Sequence, residues 1–206
     1  MWLYSGYQSE RTRSRYSVDW ARLAELDAID IASAGYGRKI EAVEATQEVL
    51  GDVPLVTGIN LAAYRRTEDK AVRPLTKASL LRRLTDGRGG FLIYNHPQME
   101  GRSYYAVAEI SKLVADHEAL FVDARLDKKW LGLGEAHHPD TAVLKSPAGY
   151  LLAIMNESGE TRSYTLTLPE RVFEGGFEYY TGESVEPGQT ITITVAPHDA
   201  AAYILR

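Results

Sequence analysis

Gly90-Phe91-Leu92-Ile93-Tyr94-Asn95-His96 is a short apolar run that ends abruptly on polar side chains. An unbroken apolar run of this length suits a strand of a parallel sheet covered on both faces. Reading backwards, the same unit recurs at Val53 to Ile59, at Ala28-Ile29-Asp30-Ile31-Ala32-Ser33 and at Trp2-Leu3-Tyr4-Ser5-Gly6-Tyr7. Helical spacings lie between these strands. After a polar loop from Gln8 to Ser17, Val18, Trp20, Leu23 and Ala24 mark the first helix. A turn at Gly35-Tyr36-Gly37 precedes the second, which carries Ile40, Val43, Gln47 and Leu50 and stops at Gly51, a residue suited to a helix C-terminal cap. The third follows a charged loop, Tyr64 to Arg73, and places Leu80, Leu81 and Leu84 on one side. A fourth starts near Ser103 and carries Val107, Ile110 and Val114.

Four βα units in a row leave a doubly wound open sheet or part of a (β/α)8 barrel. No Gly-x-Gly-x-x-Gly turn follows any strand, so the nucleotide-binding open sheet has no support. Polar residues gather just after the strands, at Gln8, Ser33, Asn60, Asn95 and His96, and barrels concentrate their chemistry at that rim. The expected fold of 1–116 is therefore a partial (β/α) barrel. A whole barrel takes about 250 residues, so these units read as its last four, with the other half upstream; two copies closing one barrel is the alternative. Met1 runs straight into a strand, without the basic segment and apolar stretch of a signal peptide, which also leads us to expect sequence upstream. The compartment stays open.

The periodicity then changes. Residues 117–140 contain Gly132, Gly134 and Pro139 and read as a connector. From Thr141 the chain alternates at period two, with strands at Gly149 to Asn156, Ser163 to Leu168, Thr190 to Val195 and Ala201 to Leu205. Glu157-Ser158-Gly159-Glu160 and Glu186-Pro187-Gly188-Gln189 are turns; in the second, proline presets one dihedral and glycine supplies the next. Short strands at this spacing predict a C-terminal antiparallel β-sandwich over 141–206, of about six strands.

Composition narrows the partners. Among 206 residues, 45% hydrophobic and 25% charged is ordinary globular usage, which argues against disorder. The net charge of −5 argues against nucleic acid, and no apolar run approaches the roughly 20 residues of a membrane span. The absence of cysteine removes disulfides, thiolate zinc sites and a cysteine nucleophile. No cofactor or metal is expected. Association through the open half-barrel edges would satisfy them.

The layout, and the closing pattern Phe177-Glu178-Tyr179-Tyr180-Thr181-Gly182-Glu183 followed by a Thr/Ile strand and Ala196-Pro197-His198-Asp199, resembles the barrel glycoside hydrolases that end in a C-terminal sandwich. These include the amylase-like, α-galactosidase-like and β-galactosidase-like groups. The resemblance implies hydrolysis of O-glycosidic bonds in an oligo- or polysaccharide by two carboxyl groups. In the clan that includes β-galactosidases these are glutamates after the fourth and seventh strands. The strand here that would be seventh ends Thr57-Gly58-Ile59-Asn60 with no glutamate, a departure from that pattern. The parent would then be a glycosidase and the fragment alone inactive; the alternative is a non-catalytic carbohydrate-binding or scaffolding protein with the same fold.

Glu100, between Pro97 and Gly101 and near His96, is the candidate catalytic carboxylate; its other reading is a solvated loop residue. Tyr7, Tyr36 and Tyr94 follow three strands and could stack on the apolar faces of a sugar while their hydroxyls meet its polar edge. Gln8, Asn60 and His96 complete the candidate substrate-binding set as hydroxyl readers. Asp30, between Ile29 and Ile31, is expected to face the barrel interior as a structural carboxylate. Glu10 reads as an exposed partner of nearby arginines, and His137-His138 as surface.

Overall fold

The computed structural model describes residues 1–36, 40–60, 77–85, 90–94, 101–133 and 138–206, with the backbone alone at Tyr36, Ile40, Asn60, Tyr94, Gly101 and Arg102. They form two units that do not follow chain order. The first holds the described parts of Met1–Ala63 and Arg88–Gln98, the second those of Tyr64–Gly87 and Met99–Arg206.

In the first unit β1 (Trp2–Ser5), β2 (Ile31–Tyr36), β3 (Leu55–Asn60) and β4 (Phe91–Tyr94) pair in that order, all parallel. Leu3, Ala32 and Leu55 stand in register, as do Ser5, Ala34, Thr57 and Phe91. Alternation puts both rows on one face. Against that face pack Trp20 of α2 (Trp20–Glu25) and Val43 and Leu50 of α3 (Ile40–Leu50), forming one core with Ile29, Ala32, Ala34 and Leu55. Trp20 is fully buried, and its Nε1 donates to the Gly6 carbonyl at 2.8 Å, so the largest core side chain also satisfies its polar atom.

The segment expected as a polar loop contains a helix, α1 (Glu10–Tyr16). The Ser9 hydroxyl caps it by accepting from the Thr12 N–H at 3.1 Å, and Thr12 Oγ1 donates to the Tyr7 carbonyl at 2.6 Å. The helix buries only Thr12, so no apolar stripe announces it. Glu10 is exposed in its first turn, where a carboxylate suits the helix dipole.

The opposite face of the sheet carries Trp2, Tyr4 and Ile31, exposed by 61%, 38% and 39%. Asp30 does not lie within a strand or face a barrel interior, contrary to expectation. β2 begins one residue later, at Ile31; the Asp30 side chain is 85% exposed and pairs with the Met1 amine. Ile29 enters the core while Ile31 lies on the exposed face, so strand alternation does not run through Asp30.

The second unit opens with α4 (Lys77–Thr85) and α5 (Gly101–Asp116), then a 3-10 turn at Glu118–Leu120. Its strands are β5 (Arg125–Leu126), β6 (Thr141–Ser146), β7 (Gly149–Met155), β8 (Arg162–Thr167), β9 (Gly176–Glu178), β10 (Ser184–Val185), β11 (Thr190–Val195) and β12 (Ala200–Leu205). Every pairing is antiparallel. One sheet has the order β10-β9-β12-β7-β6-β5, and β11-β8 makes the other.

The two sheets share a core. Val143, Leu152, Ile154, Ala201, Tyr203 and Leu205 of the larger meet Tyr164, Leu166, Ile191 and Val195 of the smaller. Period two holds for β8 and β11, whose outer residues are exposed. It fails for β7 and β12, where Leu151 through Met155 and Ala200 through Leu205 are all buried. Their second face is covered by α4: Thr85 Oγ1 reaches Met155 Sδ at 3.8 Å, and Arg82 and Ser79 bond Glu157 after β7. A strand covered on both sides has no reason to alternate.

Candidate functional site

Parallel strands end together. β1 runs out at Ser5, just before Tyr7 and Gln8, while Tyr36, Asn60 and Tyr94 are the last residues of β2, β3 and β4. Asn60 and Tyr94 are direct register partners, and Tyr36 lies opposite Gly58 after a bulge at Ala34/Tyr36. Neighbouring strands stand about 4.8 Å apart, so this backbone order brings residues from four chain segments to one sheet end. His96 and Glu100 lie outside the described residues.

The described side chains at that end turn inward. The Tyr7 ring is half-buried against the α2/α3 core and lies over Gly35, whose φ is +64°. A Cβ at Gly35 would collide with Tyr7 Cε2, so the ring occupies the space that glycine leaves. The Gln8 N–H donates to Thr46 Oγ1 on α3 at 2.9 Å, and Gln8 Oε1 is buried without a partner among the described residues. Ser5 Oγ and Thr57 Oγ1, flanking Ala34 in register, are likewise buried and unpaired there. One hydrogen bond missed by sequence reasoning lies on the exposed face: Trp2 Nε1 donates to Ser33 Oγ at 2.6 Å. The alternation Trp2-Leu3-Tyr4-Ser5 was its signal, masked by reading the segment as one apolar run.

The second unit has its own polar cluster. Tyr179 OH donates to Asp116 Oδ2 at 2.6 Å, and the His117 ring packs edge-on to Tyr179 at 5.6 Å. Hydrogen bonds from Lys112 and then Tyr179 hold the Asp116 carboxyl below the usual range. Burial, and then Asp116, push the Tyr179 phenol up to about 12. Burial, then Arg206, lower the His117 imidazole. His138 packs edge-on to Tyr164 at 5.0 Å. Glu178 is buried and accepts from the N–H groups of Thr181 and Ala202 at 2.6 and 3.2 Å, so it closes a turn. Among the described residues no group of three or more His, Asp or Glu side chains could hold a metal.

No protein-family model matches the chain, and no curated protein matches its sequence. Solved structures do. A GH30 endoxylanase from Clostridium papyrosolvens C71 is similar over 100% of this chain and 55% of its own, with TM-score 0.59 and 10% identity. An Anoxybacillus α-amylase is similar over 91% and 50%, with TM-score 0.56 and 15% identity. AmyP, solved with maltose bound, is similar over 80% and 43%, with TM-score 0.51 and 11% identity. The likeness is one of fold. It is to glycoside hydrolase structures, and the chain spans about half the length of those it matches.

Proposed function

We propose that this chain supplies the last four βα units and the C-terminal β-sandwich of a glycoside hydrolase acting on O-glycosidic bonds of an oligo- or polysaccharide. The observation that carries the reading is the match of the whole chain to 55% of an endoxylanase. The exposed Trp2, Tyr4 and Ile31 support it, because an apolar sheet face is a barrel interior once further strands enclose it. In this reading 1–116 is the barrel part, 117–140 the connector and 141–206 the sandwich. Tyr7, Tyr36 and Tyr94 stack on sugar rings; Gln8, Asn60 and His96 bind hydroxyls; Glu100 is the acid. A second carboxyl group, needed for either stereochemical outcome, comes from the rest of the protein.

A second reading, a non-catalytic carbohydrate-binding protein, is favoured by the end of β3, Thr57-Gly58-Ile59-Asn60, which offers no carboxylate. One set of assays separates them. The 206-residue chain alone should not turn over a panel of aryl glycosides. The full-length parent should, with turnover lost in Glu100→Gln and oligosaccharide affinity weakened in Tyr94→Ala. Stacking on one ring contributes about 1–3 kcal/mol in nucleic-acid systems, a rough guide to that loss. Binding without turnover by the parent supports the second reading. If Tyr94→Ala and Glu100→Ala both leave affinity and turnover unchanged, the assigned site is wrong.

A further inference from the structure

We propose that the free edge of β11 is a strand-pairing surface for a second copy of this chain, the two β11 strands running antiparallel about a two-fold axis at Thr192. The inference concerns the second unit alone and does not depend on the glycosidase reading.

β8 and β11 pair only with each other among the described residues, so each has an open edge. The hydrogen bond from the Leu168 N–H to the Gln189 carbonyl, at 2.9 Å, sets the phase of the ladder. Counting on by twos, Ile191, Ile193 and Val195 exchange backbone bonds with β8. The N–H and C=O groups of Thr190, Thr192 and Thr194 therefore point away from β8, and no backbone hydrogen bond takes them to another described segment. Side chains agree with this phase. Thr190, Thr192 and Thr194 meet Thr167, Thr165 and Ser163 at 3.0, 3.3 and 3.1 Å, as expected for the closer, non-hydrogen-bonded pairs.

Such edges are normally guarded by charge, proline or a bulge. The β8 edge has guards: Glu160 and Arg162 at one end, Glu170 and Arg171 at the other. From Pro187 to Pro197 there is no charge at all, and no proline or bulge interrupts β11 itself. The strand is also self-complementary. Antiparallel pairing about Thr192 sets Thr190 against the copy's Thr194 and Ile191 against its Ile193. Threonine then meets threonine on the solvent face, and isoleucine meets isoleucine on the core face. The missing N–H···O bonds are made by the same operation, since a residue not bonded to one neighbour bonds the other.

The absence of cysteine makes a clean test. At the two-fold axis, Thr192 and its mate form a hydrogen-bonded pair with Cα atoms about 5.5 Å apart, inside the disulfide range of roughly 4.4–6.8 Å. Oxidised Thr192→Cys should run as a covalent dimer on non-reducing gels at micromolar concentration, while Thr165→Cys on β8 should stay monomeric. An equimolar mixture of Thr190→Cys and Thr194→Cys should cross-link as well, which gives a second reading at different positions. Sedimentation of the unmodified chain should show a concentration-dependent dimer. Thr192→Lys, which sets two ammonium groups face to face, should weaken it about two- to fivefold, and mixing with Thr192→Glu should restore it. A chain that is monomeric throughout, equal cross-linking of Thr192→Cys and Thr165→Cys, or a dimer indifferent to Thr192→Lys would each overturn the proposal; the last would place association elsewhere, as on the parallel sheet.

Discussion

Arg82 of α4 donates its Nε–H to Glu157 Oε2 at 3.1 Å, tying a helix to the turn that follows β7 from 75 residues away in sequence. The same guanidinium donates to the Pro139 carbonyl at 3.3 Å and approaches Asp140 at 3.8 Å. Asp140 in turn accepts from Arg162 and from the Tyr164 hydroxyl at 2.7 and 2.9 Å. A helix laid on the second face of the β7/β12 sheet is thus clamped at the open end of the β6–β7 hairpin, where the start of β6 and the end of β7 meet.

Arg82→Ala should lower stability by about 1.5–3 kcal/mol, the range for hydrogen bonds to charged partners, because Glu157 is left mostly buried. Arg82→Lys should recover less than half, since an ammonium cannot serve the carboxylate and the carbonyl in one fork. Urea unfolding measures both, and equal stability of all three proteins would mean the clamp is idle.

Asn156 is fully buried, and its Nδ2 serves the carbonyls of Glu160, Val195 and Ala196 at 2.7, 3.0 and 3.0 Å. Asn156→Ala orphans buried acceptors and should cost about 1–3 kcal/mol. Asn156→Asp should cost more, because a carboxylate would face the same carbonyls. Denaturant midpoints rank the three proteins, and an aspartate variant as stable as wild type would refute the assignment.

Gly35→Ala combines strain with collision. The φ of +64° disfavours any Cβ, and that Cβ would enter the Tyr7 ring. We expect a loss of about 1–3 kcal/mol from the backbone alone, with displacement of Tyr7 detectable in its ring NMR signals. Gly35→Ala in a Tyr7→Ala background should cost less than in wild type. Additive losses would separate the two residues.

His117 predicts an acid-side slope. Burial, then Arg206, depress its pKa below the ordinary 6.5, so the unfolded chain binds a proton before the folded one. Its stabilisation is complete above pH 6.5 and is lost as pH falls from there through the folded-state pKa. Asp116 is also depressed, but below 3.8, outside this window. His117→Phe keeps the ring beside Phe177 and Tyr179 and should flatten that slope. An unchanged pH dependence of the unfolding midpoint between about 5 and 6.5 would count against it.

Much of the strand placement was legible because each parallel strand is a compact apolar run: Phe91 to Tyr94 falls within the stretch read from sequence, and Leu55 to Asn60 overlaps Val53 to Ile59 and runs one residue past it. α1 was not, since a helix that buries Thr12 alone leaves no apolar period. The candidate site was legible only as a set of strand ends. Sequence could name Tyr7 and Gln8, but not that Gly35 lets the Tyr7 ring turn inward or that Gln8 Oε1 is buried.

By itself the sequence determined the switch from strand-and-helix units to antiparallel strands, since side-chain periodicity is a local property that each segment carries alone. Alternation in Ser163–Leu168 and Thr190–Val195 likewise determined which face of the β8/β11 ribbon meets solvent. Only the tertiary structure decided where α4 and α5 belong. Their neighbours in sequence are parallel strands, yet α4 covers the second face of β7 and Tyr179 reaches back to Asp116 at the end of α5. That choice rests on contacts such as Arg82 with Glu157 and Lys77 with Asp199, each spanning most of a domain length of chain. Pairings over such distances depend on which apolar faces remain to be covered after the sheets form, and no single window of sequence contains that information.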